Sequence, residues 1–387
     1  MKLKDKSSYI LVFNAGSATL KWALYEEDGL VEAGRGTVER IGERGSFAEW
    51  RLFGKLSVKQ LKFSDHKQAV GYIVKMLAWH KLLGSISLVG HRIVYGGQLF
   101  IAPVKLTKEV INRLEKLPSL APLHNPVELA VAKAASKLLP RVKQIAEFDT
   151  AWFAHLPLES QTYALPRLLN KKYGLKKYGF HGLSHNYVTN EAARILGKKT
   201  EQVNLVTCHL GSGSSVAAVR AGKPIDTSMG FTPLAGLVMC TRAGDVDPGL
   251  LLYLAKQPGF SIKKLDQLLN HESGLKGMTG VADMREVLTM AGYEVLGFRV
   301  KKLVSASDRQ QAKLALKVYL YNLQKYIGAY AAILGRVDAI VFTGGIGERN
   351  EVVRNLTMQG LPTLKNVSVL AIPTNEELAI ARQIINN

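Results

Sequence analysis

The sequence predicts a two-domain α/β protein built on a duplicated core, and three stretches carry that expectation. Residues 9–13 are an apolar run, followed by the small polar loop Asn14, Ala15, Gly16, Ser17, Ala18 and Thr19 and by a second strand-like run over 20–25. Residues 203–228 repeat the pattern. Residues 203–209 read as a buried strand, Gly211, Ser212, Gly213 and Ser214 as a tight loop, and 215–220 and 224–228 as two further strands. Residues 338–342 (DAIVF) are a short buried strand that runs into Thr343, Gly344, Gly345, Ile346, Gly347 and Glu348. Glycines let a backbone approach an anion without a Cβ in the way, and successive N–H groups then cradle it. Ligands in open α/β sheets sit outside the carboxyl ends of strands. Two such hairpins far apart in the chain predict a duplicated fold with a nucleotide between its halves.

At 387 residues the chain is long enough for two domains. The first is expected over 1–150, completed by a C-terminal helix over 377–387, and the second, nucleotide-binding one over 151–376. Lysine plus arginine exceed aspartate plus glutamate by 51 − 31 = 20, a balance that favours anionic partners such as nucleotides and acyl phosphates. The basic residues come as scattered doublets, such as Lys171–Lys172 and Lys301–Lys302, without a long basic run or an RNA-binding signature. Nucleic acid is therefore not an expected partner. Cys208 and Cys240 are the only cysteines; they form neither a disulfide framework nor a CxxC pair, and each is expected as a small core residue. No stretch approaches the roughly eighteen apolar residues of a membrane span. Lys2, Lys4 and Lys6 precede an apolar run too short for a signal peptide, so the expected location is the cytoplasm, with no membrane partner.

Residues 31–66 are mixed and polar, and no chemistry is expected there. Residues 69–83 have helical apolar spacing. Residues 87–95 (SLVGHRIVY) read as a buried strand carrying His91 and Arg92. A buried arginine needs an anionic partner, so Arg92 is either half of a structural ion pair or a receptor for an anionic substrate. Residues 117–126 (LPSLAPLHNP) form a rigid Pro-rich loop that presents His124 and Asn125. A helix over 127–139 and a strand over 142–148 follow, with Asp149 and Thr150 at the strand's carboxyl end, where a carboxylate suits a ligand or Mg²⁺. Residues 178–185 (YGFHGLSH) set His181 and His185 four apart. The glutamate of the zinc-protease pattern is missing, and no further Cys/His cluster completes a metal site. His181 is instead expected to face a phosphate, and Ser184 to cap a helix.

Residues 230–249 are long, Gly/Pro-punctuated and carry Arg242, Asp245 and Asp247; a long ordered loop usually has a function. Residues 271–285 read as another Gly-rich loop, ending in Asp283 and Arg285. Leu316, Tyr319, Leu320, Leu323, Tyr326, Ile327, Tyr330 and Leu334 recur at helical spacing and predict a core-facing helix. Residues 367–372 read as the last strand, before Pro373, Thr374, Asn375, Glu376 and Glu377 and a terminal amphipathic helix. There is no Walker loop and no protein-kinase signature set.

In this order the loops resemble those of the actin-like ATPase superfamily, which also holds sugar kinases and heat-shock ATPases. More closely, the chain resembles the acetate kinase (acetokinase) family over about residues 9–384. The matching motifs are NAGSATLK (14–21), GHRIVYGG (90–97), APLHNP (121–126), FDTAW (148–152), YGFHGLSH (178–185), HLGSGSS (209–215), DTSMGFTPLAGL (226–237), TRAGDVDPG (241–249), TGGIGE (343–348) and PTNEE (373–377). The resemblance implies an actin-like, ribonuclease H-like fold with the nucleotide in the interdomain cleft. It implies the reaction ATP + carboxylate ⇌ ADP + acyl phosphate, with acetate as acceptor, and a homodimer. It places Mg²⁺ (or Mn²⁺) at Asn14 and Glu376. It places the nucleotide at Ser17, Thr19 and Lys21, at His209, Leu210, Gly211, Ser212 and Gly213, at Asp283, Met284 and Arg285, and at Gly344, Gly345, Ile346, Gly347 and Glu348. By the same resemblance Arg92 binds the substrate carboxylate, His181 and Arg242 stabilise the transition state, Asp149 is the family's catalytic acid, and His124 is a further catalytic residue. Val94, Leu123, Phe180 and Pro233 match the pocket for the acyl methyl group. The chain departs from the family pattern at Thr19 (usually Ser), Tyr95 (His), Gln98 (Glu) and Ser212 (Asn), and the loop before Asp283 is one residue short.

The chemistry agrees with such a set. A carboxylate is deprotonated at neutral pH, so the nucleophile needs no general base. The difficulty is an anion attacking a polyanion, and phosphoryl transfer is catalysed mainly by positioning and electrostatic stabilisation. Asp149 is therefore read as orienting Arg92 or a Mg²⁺-bound water rather than as moving a proton. Propionate or butyrate as acceptor stays open, because one methylene in an apolar pocket is worth only ~1–3 kcal/mol. A nucleotide switch of the actin or heat-shock type has no use for Arg92, His181 and Arg242 around an acyl pocket. A sugar kinase would want a base for its hydroxyl acceptor rather than a carboxylate-binding arginine.

Overall fold

The computed structural model describes residues 8–117, 125–299 and 304–386. They form two compact units: one holds the described residues up to Ala154 and from Asn375 onward, the other His155–Thr374.

The first unit carries an eight-stranded sheet made of β1 (Tyr9–Ala15), β2 (Thr19–Glu26), β3 (Glu32–Glu39), β4 (Phe47–Leu52), β5 (Lys55–Gln60), β6 (Ile86–Ile93), β7 (Val104–Lys105) and β8 (Lys143–Phe148). Its order is β5-β4-β3-β2-β1-β6-β8-β7. The second unit carries β9 (Leu205–Leu210), β10 (Ser214–Arg220), β11 (Lys223–Thr227), β12 (Ala339–Thr343) and β13 (Ser368–Ala371), in the order β11-β10-β9-β12-β13. In that sheet β9 is antiparallel to β10 and β10 to β11, while β12 runs parallel to both β9 and β13. The central strands of the first sheet, β3-β2-β1-β6-β8, repeat this order and these senses strand for strand. The duplicated α/β core expected from the two hairpins is thus present in the topology of each unit.

Burial explains the composition of these strands. β1 (YILVFNA) is buried at every position, as expected for a central strand covered on both faces. Leu11, Phe13, Leu20, Trp22 and Leu24 pack with Val70, Ile73 and Leu77 of the helix His66–Trp79. In the second unit Val206, Cys208, Val216, Ile340 and Phe342 share a core with Leu316, Tyr319, Leu323, Ile327 and Tyr330 of the helix Ala306–Leu334. Of the eight apolar positions expected on that helix, all but Tyr326 are buried. Cys208 and Cys240 are both buried thiols.

Several local readings change. Residues 31–66 hold three strands, β3 to β5. In β4 the buried Ala48, Trp50 and Leu52 alternate with more exposed residues, while β3 buries Ala33 and Val38 on either side of Gly34 and Gly36. Gly34 and Gly36 let β3 and β4 close up, since a Cβ at Gly36 would lie 2.6 Å from the Glu49 carbonyl oxygen and from Trp50 Cβ. Residues 271–285 are not one loop: they contain the helix Gly274–Thr279, and Asp283 caps the helix Met284–Ala291 by accepting from the Arg285 N–H. Gly344–Arg349 is a short helix rather than a turn. Ser184 lies inside the helix Gly182–Ile195, whose N-cap position is His181.

Candidate active site

The expected site residues fall into two constellations, one within each unit. In the first unit they gather at the carboxyl ends of β1, β6 and β8. Asn14 is near the end of β1, Arg92 near the end of β6, and Asp149 directly follows β8. Arg92 Nε and Nη2 donate to Asp149 Oδ1 and Oδ2 at 3.1 and 2.6 Å, a two-pronged contact. Arg92 Nη1 donates to Asn14 Oδ1 at 3.1 Å and lies 3.5 Å from Glu376 Oε2. Asn14 Nδ2 in turn donates to Glu376 Oε2 at 2.9 Å and Glu377 Oε1 at 2.8 Å. Both glutamates sit in the first turn of the helix Glu376–Ile384, where Asn375 Oδ1 accepts from the Leu378 N–H and fixes the helix start. Burial works against the charge on Arg92, but Asp149 and Glu376 outweigh it and hold the guanidinium well above its ordinary range.

Behind Arg92 lies Glu128, in the first turn of the helix Asn125–Leu138. Its Oε2 accepts from the Val94 N–H at 2.8 Å, while its Oε1 has no hydrogen-bond partner among the described residues. Burial pushes its carboxyl up to about 8, against the pull of Arg92. Asn125 clamps the next residue: its Oδ1 accepts from the Tyr95 N–H at 3.1 Å and its Nδ2 donates to the Tyr95 carbonyl at 2.9 Å. The helix therefore fixes the backbone of Val94 and Tyr95. Leu123 and His124 lie outside the described residues. In the first hairpin Lys21 pairs in register with Asn14. The turn is closed by a bond from the Gly16 N–H to the Thr19 carbonyl at 2.8 Å, with Ser17 exposed at its tip.

A metal fits this first constellation. Carboxylates and an amide oxygen are the hard donors that Mg²⁺ takes, usually one or two carboxylates completed by waters and phosphate oxygens. Asp149 and Glu376 lie against the Arg92 guanidinium, and Glu377 lies beside them on Asn14. Among the described residues no group of three or more His, Cys, Asp or Glu side chains is placed to hold a metal unaided.

In the second unit His181 and Arg242 converge on the β9–β10 turn. A Cβ built on Gly213 would lie 3.4 Å from His181 Cε1 and Nε2 and 3.5 Å from Arg242 Nη1. His181 has a left-handed backbone, φ 59°, a conformation that costs a non-glycine residue energy and clusters at functional sites. Its Nδ1 lies 2.8 Å from Ser215 Oγ, and its ring stacks on His209 with centroids 4.3 Å apart. Ser184 Oγ lies 2.8 Å from His209 Nδ1. Arg242 reaches the turn because the Cys240 N–H donates to the Ser212 carbonyl at 3.3 Å, tying the 230–249 loop to the hairpin. Burial lowers the Arg242 guanidinium from its ordinary value, and Nη1 donates to the Pro233 carbonyl at 3.4 Å. Phe180 is buried and Pro233 half-buried.

The Gly-rich segment after β12 meets the same edge. Gly344 has φ 75°, and a Cβ on it would strike the Leu210 carbonyl oxygen at 2.7 Å; Gly347 lies against Leu210 as well. Gly345 faces open space, Ile346 is half-buried, and Glu348 accepts from Arg349 Nε at 3.1 Å. Asp283 and Arg285 bind each other at 2.6 Å; hydrogen bonding from Arg285 holds the Asp283 carboxyl below its usual value. Met284 beside them is buried.

Three residues of this geometry were not singled out from sequence: Glu377, Glu128 and Ser215. Glu377 had a signal, a second carboxylate beside Glu376. Glu128 had none, because a glutamate in a first helical turn reads as a dipole partner.

Comparison with known proteins places this geometry in a lineage. The Acetokinase family model matches residues 9–365. The chain is similar to the acetate kinase of Clostridium novyi, 41% identical over 401 residues, covering 96% of each chain. Among solved structures it is similar to the acetate kinase of Porphyromonas gingivalis (TM-score 0.84, 36% identity, 98% of this chain and 99% of that one). It is also similar to a propionate kinase of Francisella tularensis (TM-score 0.88, 35% identity, 97% and 98%).

Proposed function

The chain belongs to the acetokinase family, and from that premise we propose that it phosphorylates acetate with ATP, reversibly, by direct in-line transfer. The observation that carries the reading is the placement of cationic and hydrogen-bond-donating side chains at the ends of the central strands. Arg92 is held by Asp149 and Asn14 in one unit, and His181 and Arg242 converge on Gly213 in the other. A bond forms between a carboxylate oxygen and the γ-phosphorus as the bond from that phosphorus to the ADP oxygen breaks, and no proton moves. Arg92 binds the carboxylate; its protonated state is secured by Asp149, which acts here as an orienting group rather than an acid. Arg242 and His181 stabilise charge on the transferred group, with the Leu210–Gly213 and Gly344–Gly347 segments at the phosphates. Asn14 and Glu376, with Glu377, would hold Mg²⁺, which when bound offsets phosphate charge. Val94 in the first unit, and Phe180 and Pro233 in the second, match the family's pocket for the acyl methyl group. A homodimer and a cytoplasmic location rest on family membership alone.

Propionate is the second reading, favoured by the likeness to the Francisella tularensis protein named a propionate kinase. Trapping acyl phosphate with hydroxylamine, with acetate, propionate and butyrate in parallel, tests both. Acetate should give the most product; Arg242→Ala should lose about 10³-fold or more, the scale of an arginine acting on a transferring phosphoryl group, and Arg92→Ala should lose activity with a raised KM for the carboxylate. A preference for propionate would move the substrate. Absence of product from every acid would end the kinase reading.

A further inference from the structure

His185 is the histidine of the 178–185 motif that the proposed reaction leaves without a task. It is fully buried, and both ring nitrogens meet hydroxyls. Nδ1 lies 2.7 Å from Thr207 Oγ1 on β9, and Nε2 lies 2.8 Å from Ser215 Oγ on β10. The same Ser215 Oγ lies 2.8 Å from His181 Nδ1. Thr207, His185, Ser215 and His181 thus form one continuous hydrogen-bonded chain, anchored on two strands paired in fixed register.

Valence sets the direction of that chain. Thr207 is fully buried, and among the described residues His185 Nδ1 is the side-chain partner of its hydroxyl. A buried hydroxyl that fails to donate is left with an unsatisfied polar hydrogen, so Thr207 donates to Nδ1. Burial, with a smaller contribution from His209, holds the His185 ring neutral, well below the usual histidine value. A neutral imidazole that accepts at Nδ1 carries its proton on Nε2, and His185 gives that proton to Ser215 Oγ. The Ser215 proton then points at its other partner, His181 Nδ1. His181 is left as the Nε2–H tautomer, and Nε2 is the atom on the side of Gly213 and Arg242 Nη1.

We propose that Thr207, His185 and Ser215 are positioning residues that fix the ring and tautomer of His181, so that it presents an N–H donor to the phosphoryl group being transferred. The recipient of that N–H rests on the kinase reading; the tautomer does not. A bare nitrogen at the same place would turn its lone pair toward phosphoryl oxygens and repel them. Groups that orient a working histidine from behind typically change its performance by roughly 10–100-fold when lost, as at metal sites.

Nitrogen-15 NMR of the histidine rings in the ligand-free protein reads the tautomers directly. His181 and His185 should both be Nε2–H with bare Nδ1. Thr207→Val removes only the hydroxyl, keeps a β-branched side chain suited to a strand, and lies three hydrogen bonds from His181. It should mix the tautomers of His185, move the His181 nitrogen shifts, and lower kcat by about tenfold with KM for ATP and carboxylate unchanged. Thr207→Ser should restore all three. A proton on His181 Nδ1 in the unaltered protein, or His181 shifts unmoved in Thr207→Val, would overturn the proposal. The spectra decide it even if no acid is phosphorylated, so the two readings fail separately.

Discussion

Arg92 shows how a single residue resolves what its sequence context leaves open. A buried arginine in SLVGHRIVY needs an anion, and its partner Asp149 lies 57 residues away, so the local sequence could not say whether the anion is protein or substrate. Both its prongs are taken by Asp149, while the Nη1 edge meets Asn14 and Glu376. Glu128 was invisible for the same reason: only tertiary packing buries it. Burial pushes its carboxyl up to about 8 and does the same to Glu147. The unfolded carboxyl titrates near 4.3, so each group's contribution to stability is full below that value and is lost as pH rises through about 8. Denaturant midpoints taken at about pH 5.5 and about pH 8.5 should therefore fall across this window. Glu128→Gln, which removes one of the two titrations, should shrink the fall, with Glu147 keeping the remainder. An undiminished fall would show that Glu128 is ionised in the folded protein.

At the scale of elements, the β9–β10 hairpin was legible because its apolar strands flank four small residues, and β12 because DAIVF is uninterrupted. β3 to β5 were not, because Gly34 and Gly36 break up the apolar alternation while serving close strand approach. The same glycine arithmetic separates a site residue from a structural one. Gly213 does not have a left-handed backbone, and the atoms nearest an added methyl, on the His181 ring and Arg242, lie at ordinary contact distance. Gly213→Ala should melt within a few degrees of the parent while losing activity, because the methyl sits between the two groups that face the phosphoryl. Gly344 is left-handed, and a Cβ there strikes the Leu210 carbonyl at 2.7 Å. Gly344→Ala should cost more than about 1 kcal/mol of stability, seen as a clear drop in Tm. Equal Tm losses for the two variants would contradict this division.

For the whole molecule, the repeated strand order β3-β2-β1-β6-β8 and β11-β10-β9-β12-β13 is what two similar hairpins foreshadowed. The return of the terminal helix to the first unit, which sets Glu376 and Glu377 on Asn14, depends on contacts more than 360 positions apart, which no local sequence pattern carries. The first unit presents Arg92 beside Asn14 and Asp149, and the second presents His181 and Arg242 at the β9–β10 turn. That arrangement suits a nucleophile already deprotonated, and it separates a carboxylate kinase from a nucleotide switch, in which water attacks. Acetate carrying oxygen-18 in both carboxyl oxygens, incubated with Mg²⁺ and ATP and followed by phosphorus NMR, distinguishes the two most directly. If the carboxylate attacks phosphorus, acyl phosphate must form with the label in the oxygen bridging carbon and phosphorus. Release of unlabelled inorganic phosphate at the same rate with and without acetate, and no labelled acyl phosphate, would contradict direct attack.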